Sequence, residues 1–202
     1  MKSQQFKRVI DIIGSLIGLI LVSPIILVIS LMVYLTMGRP IFFKQARPGL
    51  YGKPFTIYKF RTMLDLRDKN GNLLPDEKRL TPFGKLLRKF SIDELPELWN
   101  VLKGDMSLVG PRPLPLIDIE HPELLHPKDS EINLERLDNW LKIRHSVPPG
   151  ITGLWQVRGR SDLPLEAWFN YDLEYVKRRS FWMDMKILLR TIPVVLLGKG
   201  AE

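Results

Sequence analysis

The feature that most constrains the fold of this 202-residue chain is an apolar stretch near its N-terminus. Residues 12–37 carry no charged side chain and are rich in Ile, Leu and Val. At about 1.5 Å per residue, a straight helix of this length can cross the roughly 30 Å hydrocarbon core of a bilayer. The stretch is too long for the apolar region of a signal peptide, and no small-residue cleavage site follows it. We therefore predict a membrane element that stays attached to the chain.

The dipeptide Ser23-Pro24 lies in the middle of this stretch. Pro24 removes the N–H group that would bond the Ile20 carbonyl, so a kink or break is expected there, and the Ser23 hydroxyl can bond the freed carbonyl. Lys and Arg residues flank both ends of the stretch, which is typical of cytoplasmic flanks. These features leave two arrangements open, namely a re-entrant hairpin that bends at Ser23-Pro24 and a single proline-kinked span.

The rest of the chain predicts short strands followed by helices. Two extended segments around a Pro- and Gly-rich turn predict a β-hairpin within residues 39–63. Apolar residues recur at helical spacing over residues 81–100, 134–143 and 165–178. Residues 181–197 mix apolar side chains with Lys186 and Arg190, which favours an amphipathic helix that lies on a membrane or packs on the core. Polar residues 114–140 predict a surface excursion.

Composition limits the chemistry that the chain can perform. It has no cysteine, which excludes disulfides, thiolate zinc sites and cysteine nucleophiles. Its three histidines, at positions 121, 126 and 145, lack the spacing of a metal site. A net charge of +8 favours anionic partners such as phosphates, nucleic acid or acidic lipid. Because the chain has no cysteine, any nucleophile must be an oxygen or nitrogen atom.

The adjacent carboxylates Asp93 and Glu94 form the densest candidate site, at a predicted helix start. Peptide dipoles there favour negative charge, so Asp93 can remain an ionised nucleophile while Arg88 helps to hold a phosphate. Glu94 can hold a divalent cation or assist proton transfer. The competing interpretation is a capping box, Ser91-x-x-Glu94, in which Glu94 only satisfies the backbone at Ser91.

Arg112 is the second candidate because it lies between Pro111 and Pro113. A rigid loop limits the entropy lost in positioning a side chain, and a guanidinium offers two parallel donors to phosphate oxygens. The alternative is an ordinary solvated arginine. Taken one by one, four further residues face the same alternative, namely Lys59, Arg144, Arg160 and Asp172.

Short motifs occur in a family-like order along nearly the whole chain. They are Lys7-Arg8 with Asp11, Ser23-Pro24, residues 58–63, Asp93-Glu94-Leu95-Pro96, and residues 100–107, 109–113 and 149–153. Together they make the sequence closely resemble the monotopic phosphoglycosyl transferases of the bacterial sugar transferase family, in the minimal form that starts glycan assembly.

The resemblance implies an α+β, mainly helical fold in which a membrane helix breaks at Ser23-Pro24 and returns to the same side. It thereby favours the hairpin over the span. Residues 1–38 would be the re-entrant anchor, and residues 39–202 one catalytic domain with a small β-hairpin and amphipathic interfacial helices. The implied location is the bacterial inner membrane, with a monotopic arrangement and an active site that faces the cytoplasm.

The resemblance also implies a two-step reaction. The aspartate at position 93 would attack the β-phosphate of a UDP-sugar, expel UMP and carry the sugar phosphate covalently until polyprenol (undecaprenyl) phosphate accepts it. Glu94 matches the second acidic residue, which is associated with Mg²⁺. The positions that match substrate-binding residues are Lys59, Arg88, Arg112 and Asp172. The expected partners are UDP-sugar, polyprenol phosphate and inner-membrane lipid, not nucleic acid, and exposed aromatic residues on the C-terminal helices would allow a homodimer.

Two other classes of function fit some of the same features. A non-enzymatic membrane-surface module would use the anchor and the basic charge to recruit phosphorylated ligands, but it does not explain why Asp93-Glu94 and Pro111-Arg112-Pro113 occur together. A lipid-phosphate hydrolase would use the acidic pair and release its product without an acceptor.

Overall fold

The computed structural model describes residues 2–116, 134–160 and 163–198. Most of the excursion predicted over residues 114–140 lies outside these ranges. The helices are α1 (Lys2–Met37), α2 (Asp76–Arg79), α3 (Pro82–Lys89), α4 (Glu97–Lys103), α5 (Leu134–Arg144), α6 (Leu165–Arg178) and α7 (Phe181–Leu197). The strands are β1 (Phe42–Pro48), β2 (Pro54–Phe60), β3 (Ser107–Val109) and β4 (Gly150–Thr152). The predicted α+β, mainly helical class is confirmed.

Helix α1 continues through Pro24 without interruption, so the predicted break in the helix at Ser23-Pro24 is not present. The φ angle of proline is compatible with a helix. Because Pro24 has no N–H group, the carbonyl of Ile20 loses its usual backbone donor. The Ser23 hydroxyl donates to that carbonyl at 2.8 Å, as the sequence predicted. This local replacement explains how the helix tolerates the proline. By length and composition alone, α1 is long and apolar enough to cross a membrane.

Strands β1 and β2 form the predicted antiparallel hairpin, with Phe42 opposite Phe60 and Pro48 opposite Pro54. A second sheet, which the sequence did not predict, pairs β3 with β4 in parallel, from Ser107 opposite Gly150 to Val109 opposite Thr152. Each of its strands has three residues, which is too short to show a two-residue periodicity. This small sheet joins the segment before Arg112 to the C-terminal half of the chain.

One face of α1 packs on the remainder of the protein along most of the helix length. Near its start, Asp11 accepts a hydrogen bond from the Leu108 backbone N–H at 3.0 Å. Near its end, Val33 and Met37 are buried in a hydrophobic cluster with Phe60. The opposite face is exposed, and it carries large apolar side chains on both sides of Ser23-Pro24.

The C-terminal helices pack around aromatic side chains. Trp140 of α5 stacks on Phe169 of α6 with ring centroids 4.1 Å apart. Tyr175 of α6 donates its hydroxyl to the Val109 carbonyl at 2.8 Å, while the Asp184 carboxylate of α7 lies 3.0 Å away. These contacts fix α6 and α7 against the end of β3, immediately before the loop that carries Arg112.

Candidate active site

A cavity of about 810 Å³ opens between the hairpin, the turn before α4 and the loop after β3. It brings together five residues that the sequence singled out from distant segments. These are Lys59, Arg88, Asp93, Glu94 and Arg112. The two other site predictions lie elsewhere: Ser23 and Pro24 are exposed on α1, and Asp172 does not line the cavity.

A left-handed residue places the two carboxylates in the cavity. Ser91 has a φ angle of 51°, and the chain then forms a 3-10 turn over Ile92–Glu94 before α4 begins at Glu97. Ser91 makes no side-chain capping bond, and its hydroxyl instead accepts from Arg160 at 2.7 Å. The capping-box interpretation of Ser91 and Glu94 is therefore wrong.

Glu94 binds the two central cations of the cavity. Its Oε1 accepts from Lys59 Nζ at 2.6 Å and from Arg112 Nη2 at 2.5 Å, while Oε2 lies 3.3 Å from Arg112 Nη1. Burial would raise the pKa of Glu94, but Arg112 and Lys59 outweigh it and hold the pKa well below its usual value. Glu94 is thus a permanently charged anchor for both cations.

Asp93 is in the opposite situation. Within the described part of the chain, its carboxylate makes no hydrogen bond or salt bridge, although the residue is only 8% exposed. Burial raises its pKa, and the charge of Glu94 adds to this effect, while Lys59, Arg112 and Arg88 oppose it. Within the described residues, Asp93 is thus the carboxylate of the pair that lines the cavity without a hydrogen-bonding partner.

The sequence analysis missed Glu97, which is 1% exposed. Its Oε1 lies 3.2 Å from Lys59 Nζ, so Lys59 sits between two carboxylates. Burial raises the pKa of Glu97 to about 7, against the opposing charge of Lys59. Its position in the first turn of α4 resembles ordinary helix-end chemistry, so no sequence signal distinguished it.

Arg88 reaches the cavity because α3 lies very close to the residues after β2. A Cβ atom on Gly84 would be only 1.9 Å from the Thr62 carbonyl oxygen, so this approach requires glycine. Arg88 Nε donates to the Thr62 hydroxyl at 3.1 Å. Arg88 of α3 is thereby held in the same cavity as Lys59 of β2 and Arg112.

The loop that carries Arg112 depends on two more glycines. Gly110 N donates to the Thr152 carbonyl and Gly150 N donates to the Pro111 carbonyl, both at 2.9 Å. A Cβ atom on Gly150 would lie 2.0 Å from Gly110 N, and one on Gly110 would lie 2.5 Å from the Pro148 carbonyl oxygen. Gly110 and Gly150 both belong to motifs that the sequence analysis named. The sequence does not show, however, that the two glycines lie against each other.

Asp172 pairs with a residue behind the Arg112 loop instead of lining the cavity. Its Oδ2 lies 3.1 Å from Arg144 Nε, and both side chains are buried. Burial raises the pKa of Asp172 to about 6, although the Arg144 charge opposes this. Asp172 therefore does not line this cavity, and its expected role in substrate binding stays a prediction.

Cations that can bind phosphate oxygens surround an unpaired carboxylate in this cavity, and an apolar helix packs beside it. This arrangement suits an enzyme that transfers a phosphate-linked group. The chain belongs to the bacterial sugar transferase family, whose model matches residues 2–198.

Curated relatives agree with this assignment. The chain is 50% identical to a protein of Bacillus subtilis (strain 168) named as an uncharacterized sugar transferase, EpsL, over 97% of this chain and 90% of that protein. It is 40% identical to a UDP-glucose:undecaprenyl-phosphate glucose-1-phosphate transferase of Klebsiella pneumoniae, over 97% of this chain but 41% of that protein. It is 33% identical to the exopolysaccharide production protein ExoY of Rhizobium meliloti (strain 1021), over 96% and 87% respectively. The chain thus spans nearly all of some relatives and less than half of others.

Proposed function

We propose that this enzyme transfers a sugar 1-phosphate from a UDP-sugar to undecaprenyl phosphate and releases UMP, as a first membrane step in glycoconjugate assembly. The observation that carries the proposal is the unpaired Asp93 carboxylate beside cations held by Glu94. The activity for which the Klebsiella relative is named supplies the class of donor and acceptor.

The reaction proceeds in two displacements at one phosphorus atom. An oxygen of Asp93 bonds to the β-phosphorus of the UDP-sugar, and the bond from that phosphorus to the oxygen bridging the α-phosphate breaks, so UMP leaves with the electron pair. A phosphate oxygen of undecaprenyl phosphate then attacks the same phosphorus and releases the Asp93 carboxylate. The covalent step lets a soluble donor and a lipid acceptor react in turn.

Arg112, Lys59 and Arg88 stabilise the charge that develops on the phosphoryl oxygens. Such stabilisation is strongest when donors are fixed in advance, and the Glu94 contacts fix two of these three cations. Glu94 therefore contributes to catalysis through Lys59 and Arg112 as well as through its own charge.

Magnesium is part of the proposal, with Glu94 as the residue that would hold it. The described residues contain no group of three or more His, Cys, Asp or Glu that could bind a metal alone. Mg²⁺ is often held by one or two carboxylates together with substrate phosphates, however. The Glu94 Oε2, whose arginine contact is long at 3.3 Å, fits that requirement. The ion would neutralise charge on the diphosphate.

Removing the metal tests this part of the proposal. We expect EDTA to slow UMP release at least about tenfold, because diphosphate charge is then neutralised by side chains alone. Excess Mg²⁺ should restore the rate. The melting temperature without substrate should not change, because the described residues hold no protein-only metal cluster. An unchanged rate in EDTA would remove magnesium from the proposal.

We also propose a re-entrant, monotopic anchor in the bacterial inner membrane, with the active site facing the cytoplasm. Both ends of α1 are held by the same globular unit. At its start, Lys7 Nζ lies 2.6 Å from Asp184 Oδ2 and Arg8 donates to the Val101 carbonyl at 2.6 Å. At its end, Arg61 donates to the Met37 carbonyl at 3.2 Å. A helix that crossed the bilayer would place these two sets of contacts on opposite sides. A helix that kinks at Pro24 while staying continuous would keep both on one side.

Helix α7 supports the same placement. Its N-terminal Phe181 packs edge-on against Phe6 of α1, with ring centroids 6.0 Å apart. Trp182, Leu189 and Leu196 are exposed on α7. Exposed apolar residues next to Lys186 and Arg190 are typical of a helix that lies in the interface of an anionic leaflet.

A test of the proposed function omits the lipid acceptor. Purified enzyme with Mg²⁺ and a panel of UDP-sugars should release about one equivalent of UMP in a burst and gain the mass of one sugar phosphate on the peptide that contains Asp93. The donor that gives the adduct identifies the sugar, and undecaprenyl phosphate should discharge it. Continuous release of free sugar phosphate would indicate a hydrolase, and no release with any donor would favour a binding module.

A further inference from the structure

Arg144 is a buried charge that the proposed reaction does not use. Its side chain is 2% exposed, and its guanidinium lies over the Trp140 ring, 4.4 Å from the centroid. One edge of the guanidinium faces Asp172 at 3.1 Å. Another nitrogen, Nη2, donates to the backbone carbonyl of Arg112. The side chain of Arg144 therefore connects the helices α5 and α6 directly to the Arg112 loop, the segment after β3 that carries Arg112.

The Arg112 loop needs such external donors. Pro111 and Pro113 have no N–H group, so this short loop cannot form a regular ladder of its own. Its three consecutive carbonyls instead accept hydrogen bonds from three separate segments. The donors are Gly150 N to Pro111, Arg144 Nη2 to Arg112 and Arg47 Nη1 to Pro113. The Arg144 bond is made at the residue whose side chain binds Glu94.

Fold stability alone explains this arrangement poorly. A buried ion pair loses hydration that its mutual attraction only partly restores, and well-packed apolar residues in its place are often neutral or stabilising. The aromatic face of Trp140 and the Asp172 carboxylate together fix the plane of the guanidinium. With its plane fixed, the guanidinium of Arg144 directs Nη2 at the Arg112 carbonyl. The loop needs this hydrogen bond, whereas the helices do not.

We propose that Arg144 is a positioning residue that sets the Arg112 guanidinium against Glu94 by holding the Arg112 carbonyl from behind. Asp172 is its counter-charge. This inference deepens the proposed function and rests on it, because it assigns Arg112 a role in the chemical step. It also gives Asp172 a place in the site that does not require contact with substrate.

The test is a double-mutant cycle on UMP release. Arg144→Met with Asp172→Asn removes both buried charges together, so neither is left unpaired. We expect the single-turnover rate at saturating UDP-sugar to fall about tenfold to a hundredfold, with KM changed less than about threefold, because misplacing a catalytic group by an ångström has effects of this size. In an Arg112→Met background, the same pair of changes should slow release no further. Equal losses in both backgrounds would overturn the proposal.

A matched control uses the exposed ion pair between the same two helices. Arg136 Nη1 lies 2.7 Å from Glu166 Oε1, and among the described residues neither side chain hydrogen-bonds the loop that carries Arg112. Arg136→Met with Glu166→Gln should leave the rate unchanged. If the double variant of Arg144 and Asp172 does not fold, Arg144→Lys keeps the buried charge opposite Asp172 but loses the guanidinium donor, and it enters the same cycle.

A second measurement does not depend on activity. Phenylglyoxal reacts with accessible arginines, and mass spectrometry reports the labelling rate of each one. Arg112 should be labelled at least about threefold faster in the Arg144→Lys protein than in the wild type, with Arg136 unchanged as the internal reference. If the wild type released no UMP, the proposed function would be wrong. The labelling rates would still test whether Arg144 positions Arg112. Equal labelling of Arg112 in both proteins would overturn that role.

Discussion

Asp93→Asn is expected to slow UMP release at least about a thousandfold and to abolish the sugar-phosphate adduct. An amide has nearly the same shape as a carboxylate but is a very weak nucleophile, so the covalent step cannot form at a useful rate. Asp138→Asn on the exposed face of α5 is the matched control and should have the wild-type rate. A rate within about tenfold of the wild type for Asp93→Asn would exclude Asp93 as the nucleophile.

The same variant should not lose stability. Burial raises the pKa of Asp93 above its unfolded value, so the ionised form is less favourable in the folded protein than in the unfolded chain. The sign follows from this shift: Asp93 disfavours the fold as pH rises above its unfolded pKa, and a neutral amide removes that effect. Thermal unfolding at neutral pH should therefore give an Asp93→Asn melting temperature equal to or above the wild-type value. This combination distinguishes a functional carboxylate from a structural one.

Asn100→Ala is expected to cost about 3 kcal/mol of folding free energy, the largest stability effect that we predict for a single residue. Asn100 is 0% exposed and connects α4 to β2. Its Oδ1 accepts from Tyr58 N at 3.1 Å, and its Nδ2 donates to the Thr56 carbonyl at 2.7 Å. Alanine would leave both backbone groups of β2 without these partners, and each unsatisfied buried group costs roughly 1–3 kcal/mol.

Chemical denaturation of detergent-solubilised protein measures this change. Asn139→Ala, on the exposed surface of α5, is the matched control and should change the free energy of unfolding by less than about 0.5 kcal/mol. Because β2 carries Lys59, Asn100→Ala should also weaken donor binding. A stability loss of less than about 1 kcal/mol for Asn100→Ala would show that water or a shifted backbone replaces its hydrogen bonds.

The sequence predicted the parts of this protein that local pattern determines. The β1–β2 hairpin follows from two apolar segments around a Pro- and Gly-rich turn, and the grouping of Asp93, Glu94 and Arg112 follows from family-like motifs. The break at Ser23-Pro24 was wrong as an interruption of the helix, because a hydroxyl bond to Ile20 maintains helical geometry through the proline. The sequence predicted this hydroxyl bond but not that the helix would continue through the proline.

Contacts between distant segments could not be predicted in the same way. Nothing in the spacing of Glu97 shows that Lys59 will lie beside it, and Arg144 has no motif that connects it with Arg112. Both relations arise only when helices pack, since each joins residues more than 30 positions apart. Five of the residues that the sequence identified line the cavity, whereas the contacts that support them from behind became visible only in three dimensions.

The way in which α1 is held has a consequence for assembly in the cell. Val33 and Met37 share one hydrophobic cluster with Phe60 and Leu87, so the boundary predicted near residue 38 passes through a shared core. Cutting there would leave apolar surface uncovered on both pieces. The anchor and the catalytic unit therefore share one core, and we expect them to complete their folding together as a single cooperative unit.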